Sequence, residues 1–255
     1  GPGGPALRGH GPEEVLLMAQ APAVSAGHGR AAGPRSAALR WLLHPAAKPL
    51  LFVACLLPFV WLLYAAVMNQ LGANPAEALI RATGDWTLRA LCLVLAITPL
   101  RVITATPQLA RFRRMLGLFV FFYGVLHLLS YSWFDMGFDI PDILHDIAKR
   151  PFILVGTLAL VLLALLAATS FNRAIKALGG KRWQALHRTV YAVAGLAVLH
   201  FFWMRAGKNN FGEVAIYAAI LGALLGWRLW HRLRKRSAAP AGAAARRKAA
   251  GSPRS

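Results

Sequence analysis

Between residues 39 and 236 the chain alternates long apolar runs with short polar connections. Six runs approach the ~20 residues that about 30 Å of hydrocarbon demands of a helix. They cover 49–68, 86–103, 116–133, 152–170, 188–204 and 214–230. The second is the weakest, because Arg89, Pro99 and Arg101 interrupt it. Trp61, Trp86, Trp133, Trp203, Trp227 and Trp230 fall mostly near the run ends, where interfacial anchors sit. The pattern predicts an all-α fold, a polytopic membrane helical bundle with six transmembrane helices over 39–236. Residues 1–38 are rich in Gly, Ala, Pro and Ser and read as a disordered N-terminal segment. Residues 237–255 read as a disordered basic tail. The run Val15-Leu16-Leu17-Met18 is too short for a signal-peptide core. No convincing internal repeat is visible, and the short connections leave no room between spans for an extramembrane catalytic domain.

Charge adds orientation. The chain is 57% apolar with 29 Lys+Arg against 9 Asp+Glu, and its pI is near 11.5. Such a balance suits nucleic-acid binding only if the basic residues form a soluble face. Here they flank the apolar runs instead, so nucleic acid is excluded as the partner. Arg30, Arg35, Arg40 and Lys48 precede the first run. Arg111, Arg113 and Arg114 follow the second, Arg173, Lys176, Lys181 and Arg182 the fourth, and Arg232, Arg234, Lys235 and Arg236 the sixth. The other connections hold every acidic residue after Glu14: Glu77, Asp85, Asp135, Asp139, Asp142, Asp146 and Glu213. The positive-inside rule therefore predicts N-in/C-in topology. Cys55 and Cys92 lie inside apolar runs without ligand spacing and read as packing residues.

Of eight histidines, His10, His28, His44, His145 and His231 fall in terminal segments, at helix ends or in the acidic loop, and read as solvated or interfacial. His127 and His200 lie within spans, where an ionisable group is costly and marks a functional site. His127 is eleven residues past Leu116, about 17 Å along a helix, and His200 is twelve past Arg188, about 18 Å. Both spans run in the same direction, so the imidazoles reach one level in the outer half. Facing histidines on two helices suit the iron of a haem b. Gly124, one turn before His127, and Gly117 would admit a flat ring. Tyr123 and Tyr131 continue the His127 face, as Ala197 and Met204 continue that of His200. The alternative is an interhelical hydrogen bond with packing glycines. His187 lies about 20 Å below His200, and Arg113 and Arg114 occupy its level on the third span. It is either the ligand of a possible second haem with an unidentified partner, or part of a polar site for another cofactor beside Lys181, Arg182, Gln184 and Arg188. Arg101 and Arg89 are candidates to neutralise haem propionates.

The ordered set Arg40-Trp41-Leu42-Leu43-His44-Pro45, Ile97-Thr98-Pro99-Leu100-Arg101, Arg113-Arg114-Met115-Leu116-Gly117, Tyr123-Gly124-Val125-Leu126-His127 and Trp183-Gln184-Ala185-Leu186-His187-Arg188, followed by His200, resembles the MsrQ (YedZ) family of the ferric-reductase-like transmembrane superfamily. The resemblance covers about residues 41–236. It implies a haem b subunit of the bacterial inner (plasma) membrane, associated also with FMN. By the same resemblance, electrons arrive from the quinone pool or a cytoplasmic flavin reductase and leave to MsrP, a periplasmic molybdopterin reductase that repairs methionine sulfoxide in envelope proteins. The three histidines of the family map onto His127, His187 and His200; the superfamily's usual fourth is missing, which leaves room for flavin or quinone near the inner side.

The expected mechanism is electron entry near His187 and the basic surface, transfer to a haem between His127 and His200, and exit to a docked partner. The acidic loop 135–146, with Glu77 and Asp85, either docks that partner or is merely solvated. The chain offers no sulfoxide site, so it is not the sulfoxide-reducing catalytic subunit. Two competing classes are the haem b anchor of another dehydrogenase or reductase, and a non-redox transporter using the two intramembrane histidines.

Overall fold

A computed structural model describes residue 1 and residues 42–207 and 209–250, with side chains of the last helix described as far as Arg234. The expected disordered head lies outside the described residues, with His10, His28, Arg40 and Trp41. Among the described residues the regular elements are helices, without a strand. In order they are α1 (Ala47–Val67), α2 (Pro75–Ile103), a 3-10 segment (Pro107–Phe112), α3 (Arg113–Phe134), α4 (Ile140–Lys149), α5 (Pro151–Ala168), α6 (Asn172–His187), α7 (Val190–Ala206) and α8 (Gly212–Ala250). Across 237–250, where composition suggests a disordered tail, helical backbone continues; Ala, Arg and Lys are strong helix formers. Six segments are long and apolar enough to cross a membrane, which makes this a multi-pass membrane protein.

The spans alternate in direction. One end of the bundle therefore gathers Arg111, Arg113 and Arg188 (the basic end), and the other gathers Glu77, Asp139 and Glu213 (the acidic end). Three helices start or lie differently from the hydropathy reading. Helix α2 starts at Pro75, eleven residues before the expected span, because local chemistry begins it before the apolar run does. Asn74 Oδ1 accepts the Glu77 N–H at 3.1 Å, and Pro75 fills the first turn, where no N–H is required. Glu77, Arg81 and Asp85 thus belong to a helix and not to a loop. Helix α4 occupies the acidic connection, capped by Asp139, whose Oδ1 accepts the Asp142 N–H. Helix α6 fills the basic connection and kinks at Gly179, where φ is +72°. His187 consequently ends α6, separated from α7 by Arg188 and Thr189; it does not lie on the same helix as His200.

Helix α2 packs most extensively on α3, and α5 on α7; α8 closes against α2 and α7. Leu91, Leu95, Val120, Val193, Ala194 and Leu221 form the dry centre. Helix α1 buries only Ala47, Leu62 and Ala65, presenting Phe52, Trp61 and Leu63 outward as hydrocarbon-facing surface. One buried charge has a backbone cause. Pro99 has no N–H for the Leu95 carbonyl one turn earlier, and the Arg228 guanidinium donates to that carbonyl instead. Arg228 also donates to Tyr191 Oη at 3.2 Å, so α8 is tied to α2 and α7 at the proline.

Candidate functional site

The α2–α3 and α5–α7 pairs enclose a cavity of about 530 Å³ lined by His127, His200, Gly84, Gly124 and Gly156, among others. This is within the range of small-molecule and cofactor sites. The two imidazoles sit across from each other with ring centroids 6.1 Å apart and planes at 78°. Level matching from the sequence therefore places them correctly relative to each other.

Each ring is held the same way. His127 Nδ1 donates to the Ile80 carbonyl of α2 at 2.9 Å, and His200 Nδ1 donates to the Phe152 carbonyl of α5 at 2.6 Å. In both cases the donor assignment follows from the acceptor, since a carbonyl can only accept. Nε2 is then left unprotonated, which is the form that binds a metal. Four residues past each carbonyl is a glycine: Gly84 after Ile80, and Gly156 after Phe152. A carbonyl inside a helix already receives the N–H of the residue four ahead. Its second lone pair is open to an imidazole only if that residue has no side chain in the way. A Cβ built at Gly84 would stand 3.2 Å from His127 Nδ1, and one at Gly156 only 2.7 Å from His200 Nδ1. The glycines are seats for the two rings.

The donor set fits an iron porphyrin. Two imidazoles across one apolar cavity, each with Nδ1 engaged and Nε2 free, are the donors that would hold its iron. The cavity is walled by apolar groups such as Leu88, Leu128, Leu160 and Val193, and polar residues gather toward its acidic end: Arg81, Asp85, Tyr131, Arg150 and Arg205. A Cβ on Gly124 would meet Leu160 at 3.1 Å, so this glycine lets α5 approach α3 on the cavity wall. Gly117 faces Val94 of α2 and is a packing glycine. Ala197, Met204 and Tyr131 line the cavity as their spacing suggests. Tyr123 does not; its hydroxyl donates to the Cys55 carbonyl of α1 at 2.7 Å.

Other sequence candidates lie elsewhere. His187 Nε2 is 3.2 Å from Thr169 Oγ1, and its ring stacks on Trp183 at 4.0 Å. Trp183 Nε1 in turn donates to the Thr169 carbonyl. No described histidine faces it. Arg101 is exposed near the basic end of α2. Arg89 is exposed too, lying over Trp86 with its Nε donating to Tyr217 Oη at 3.3 Å. Neither lines the cavity. His44 accepts the Ala46 N–H before α1, and His231 stacks on Trp227. Cys55 and Cys92 are free thiols, half-buried in packing. The sequence reading missed Gly84 and Gly156, because each matters only through a histidine on another helix that bonds the carbonyl four residues before it. It also missed Arg81, Arg150 and Arg205, which line the cavity where Arg89 and Arg101 do not.

Comparison with known proteins identifies the family. The family model described as "Ferric reductase like transmembrane component" matches residues 83–198, a stretch that includes Gly84, His127, Phe152 and Gly156 and ends two residues before His200. A protein of Polaromonas naphthalenivorans, "Protein-methionine-sulfoxide reductase heme-binding subunit MsrQ", is 75% identical over 196 residues, covering 77% of this chain and 90% of the relative. Proteins of the same description from Herminiimonas arsenicoxydans and Rhodospirillum rubrum are 53% and 50% identical, covering 74% and 72% of this chain and 87% and 88% of theirs. No solved structure matches.

Proposed function

The chain belongs to the MsrQ family of haem-binding subunits of protein-methionine-sulfoxide reductase, and from that premise we propose that it is a haem b electron carrier whose axial ligands are His127 and His200. The observation that carries this reading is the pair of imidazoles 6.1 Å apart, each fixed by a carbonyl from a different helix. A haem held there by His127 and His200 would supply one-electron exchange. The protein's own contribution is positional. The Ile80 and Phe152 carbonyls fix tautomer and ring plane and raise the basicity of Nε2. The apolar wall excludes water from the ligand bonds.

The difference in charge between the two ends supports different work at each. The basic end is cytoplasmic, giving N-in/C-in topology in the bacterial inner membrane. Electrons enter there from the quinone pool or a cytoplasmic flavin reductase. FMN, implied by family resemblance, finds guanidinium groups suited to its phosphate at Arg113 and Arg188, where no described carboxylate competes. His187, hydrogen-bonded to Thr169 and stacked on Trp183, belongs to this entry region and not to the outer haem. The acidic end faces the periplasm and passes electrons to MsrP, the molybdopterin reductase that repairs oxidised methionine in envelope proteins. This chain carries electrons; the partner reduces the sulfoxide.

The test is a reduced-minus-oxidised visible spectrum of detergent-purified protein beside His127→Ala and His200→Ala. A low-spin b-type spectrum lost in both variants is expected. Haem retained at full stoichiometry and low spin in either variant sinks the ligand assignment. No haem in wild-type protein from haem-replete cells brings the transporter class forward. Co-purification with a periplasmic molybdoenzyme, and stimulated sulfoxide reduction, separate this reading from the anchor of another reductase.

A further inference from the structure

The acidic end of the cavity holds a charged group that the two histidine seats leave unexplained. Arg205 lies five residues past His200 on α7, about 7.5 Å nearer the acidic end. Its side chain is only 9% exposed, and its carboxylate partner Glu213 is 53% exposed. A terminal nitrogen of Arg205 donates to Glu213, and the guanidinium rests over the Phe201 ring, 5.4 Å from its centroid. Nε is buried without a partner, and the residue lines the cavity. A guanidinium has five N–H donors, and a buried donor left unmet is costly. Glu213 holds this one from the solvent side and leaves Nε unmet.

Arg81 takes a comparable place at the other seat, with its side chain 35% exposed. It stands one turn before Gly84 on α2, lines the same cavity, and pairs with Glu77, which is 43% exposed. Each seat is thus followed, toward the acidic end, by an arginine braced from outside by an exposed carboxylate. The Arg205–Glu213 pair ties α7 to α8, and that role leaves the buried Nε on the cavity wall unaccounted for. Asp85, Asp135 and Glu77, the last paired with Arg81, also line the cavity, so an anion entering meets these carboxylates as well as the arginines.

We infer that Arg205, with Arg81 opposite, binds the carboxylate edge of the tetrapyrrole, so that the propionates point to the acidic end. This rests on the haem reading above and extends it to the ring's orientation. A propionate can accept from Nε, the donor left without a partner, and from the second hydrogen of Nη2, whose first goes to Glu213, the planar two-point contact that guanidinium makes with carboxylates. The polar edge of the ring then lies toward the side from which electrons leave.

The experiment titrates haem-free full-length protein with haem b and with haem dimethyl ester, whose propionates are methylated, following the visible spectrum. The variants are Arg205→Gln, Arg205→Lys and Arg81→Gln. The ester is the more apolar ligand, so a plain apolar pocket would prefer it. Wild-type protein is expected to bind haem b about 10-fold or more tightly than the ester, the scale of one charge-assisted contact. Arg205→Gln is expected to remove most of that preference by weakening haem b alone, with Arg205→Lys between. Equal binding of both ligands by the wild type overturns the inference without any variant having to fold. So does an Arg205→Gln protein that loses affinity equally for both. Binding of neither ligand by the wild type fails the haem reading itself, a distinct result.

Discussion

Replacing Gly156 by alanine adds one methyl group at a point where there is no room for it. The new Cβ would stand 2.7 Å from His200 Nδ1 and 2.9 Å from Cε1. Ordinary contact begins near 3.4 Å, so the imidazole must withdraw by about 0.7 Å or α5 must shift by as much. The Nδ1 bond to Phe152, now 2.6 Å, would stretch past the roughly 3.2 Å at which such bonds fade. Metal–ligand distances tolerate only about 0.2 Å, so Nε2 cannot keep its place by drifting with the ring. Loss of the partner that orients a ligating histidine typically costs about 10- to 100-fold in metal affinity. Gly156→Ala is therefore expected to lower haem affinity at least ~10-fold and to move the ferric spectrum from low spin toward high spin. Gly84→Ala is the internal comparison. Its Cβ meets His127 at 3.2 Å, a deficit of only about 0.2 Å that the ring can yield, so its effect should be distinctly smaller. Visible and EPR spectra of both variants, purified side by side, decide the matter. A Gly156→Ala protein with wild-type occupancy and a low-spin spectrum refutes the seat argument, as does a Gly84→Ala defect larger than that of Gly156→Ala.

Arg228→Met leaves the Leu95 carbonyl without the donor that replaces the missing Pro99 N–H, and should cost about 1–3 kcal/mol in a detergent unfolding assay. Pro99→Ala restores the backbone donor, so the double variant should recover part of that loss; strict additivity would disprove the link. Tyr131→Phe removes the 2.6 Å bond to Asp146 Oδ2, at about 1.5–3 kcal/mol for a bond to a charged group. Because Asp146 lies on α4 and Tyr131 on α3, hydrogen exchange should quicken across α4 first, and unchanged exchange there would show that the bond does not hold the helix down.

The spans, their number and the level of the two key histidines were legible because each depends on one helix at a time. Apolar length marks a span, and residue count along it sets depth. His127 and His200 needed nothing more. What was not legible depended on a second element. Helix α2 begins at Pro75 because of an Asn74 cap that hydropathy does not register. Helix α6 is polar enough to read as a connection, and treating it as loop placed His187 on the wrong helix. Arg89 and Arg101 were chosen for being charges within an apolar run, yet depth alone does not say which way a side chain faces. The first pairs with Tyr217 on α8, and the second is exposed. Arg205 had the same apparent standing as a terminal charge of its helix, and only packing shows it buried.

The two seats also answer why the bundle resists being read as a repeat although its site is built twice. Helices α2 and α3 supply one carbonyl, one glycine and one histidine, and α5 and α7 supply another set. In each pair the carbonyl helix runs from the acidic end and the histidine helix from the basic end. The two pairs thus present histidine and carbonyl in the same sense along the bundle, from opposite sides of one cavity. Only three groups per pair are bound by this arrangement. The rest of each helix answers to lipid or to different neighbours: α3 packs on α1 and α7 does so on α8. Selection on so few positions leaves no similarity that a comparison of the two halves would detect. The symmetry is therefore a property of the site, carried by Ile80, Gly84 and His127 on one side and Phe152, Gly156 and His200 on the other.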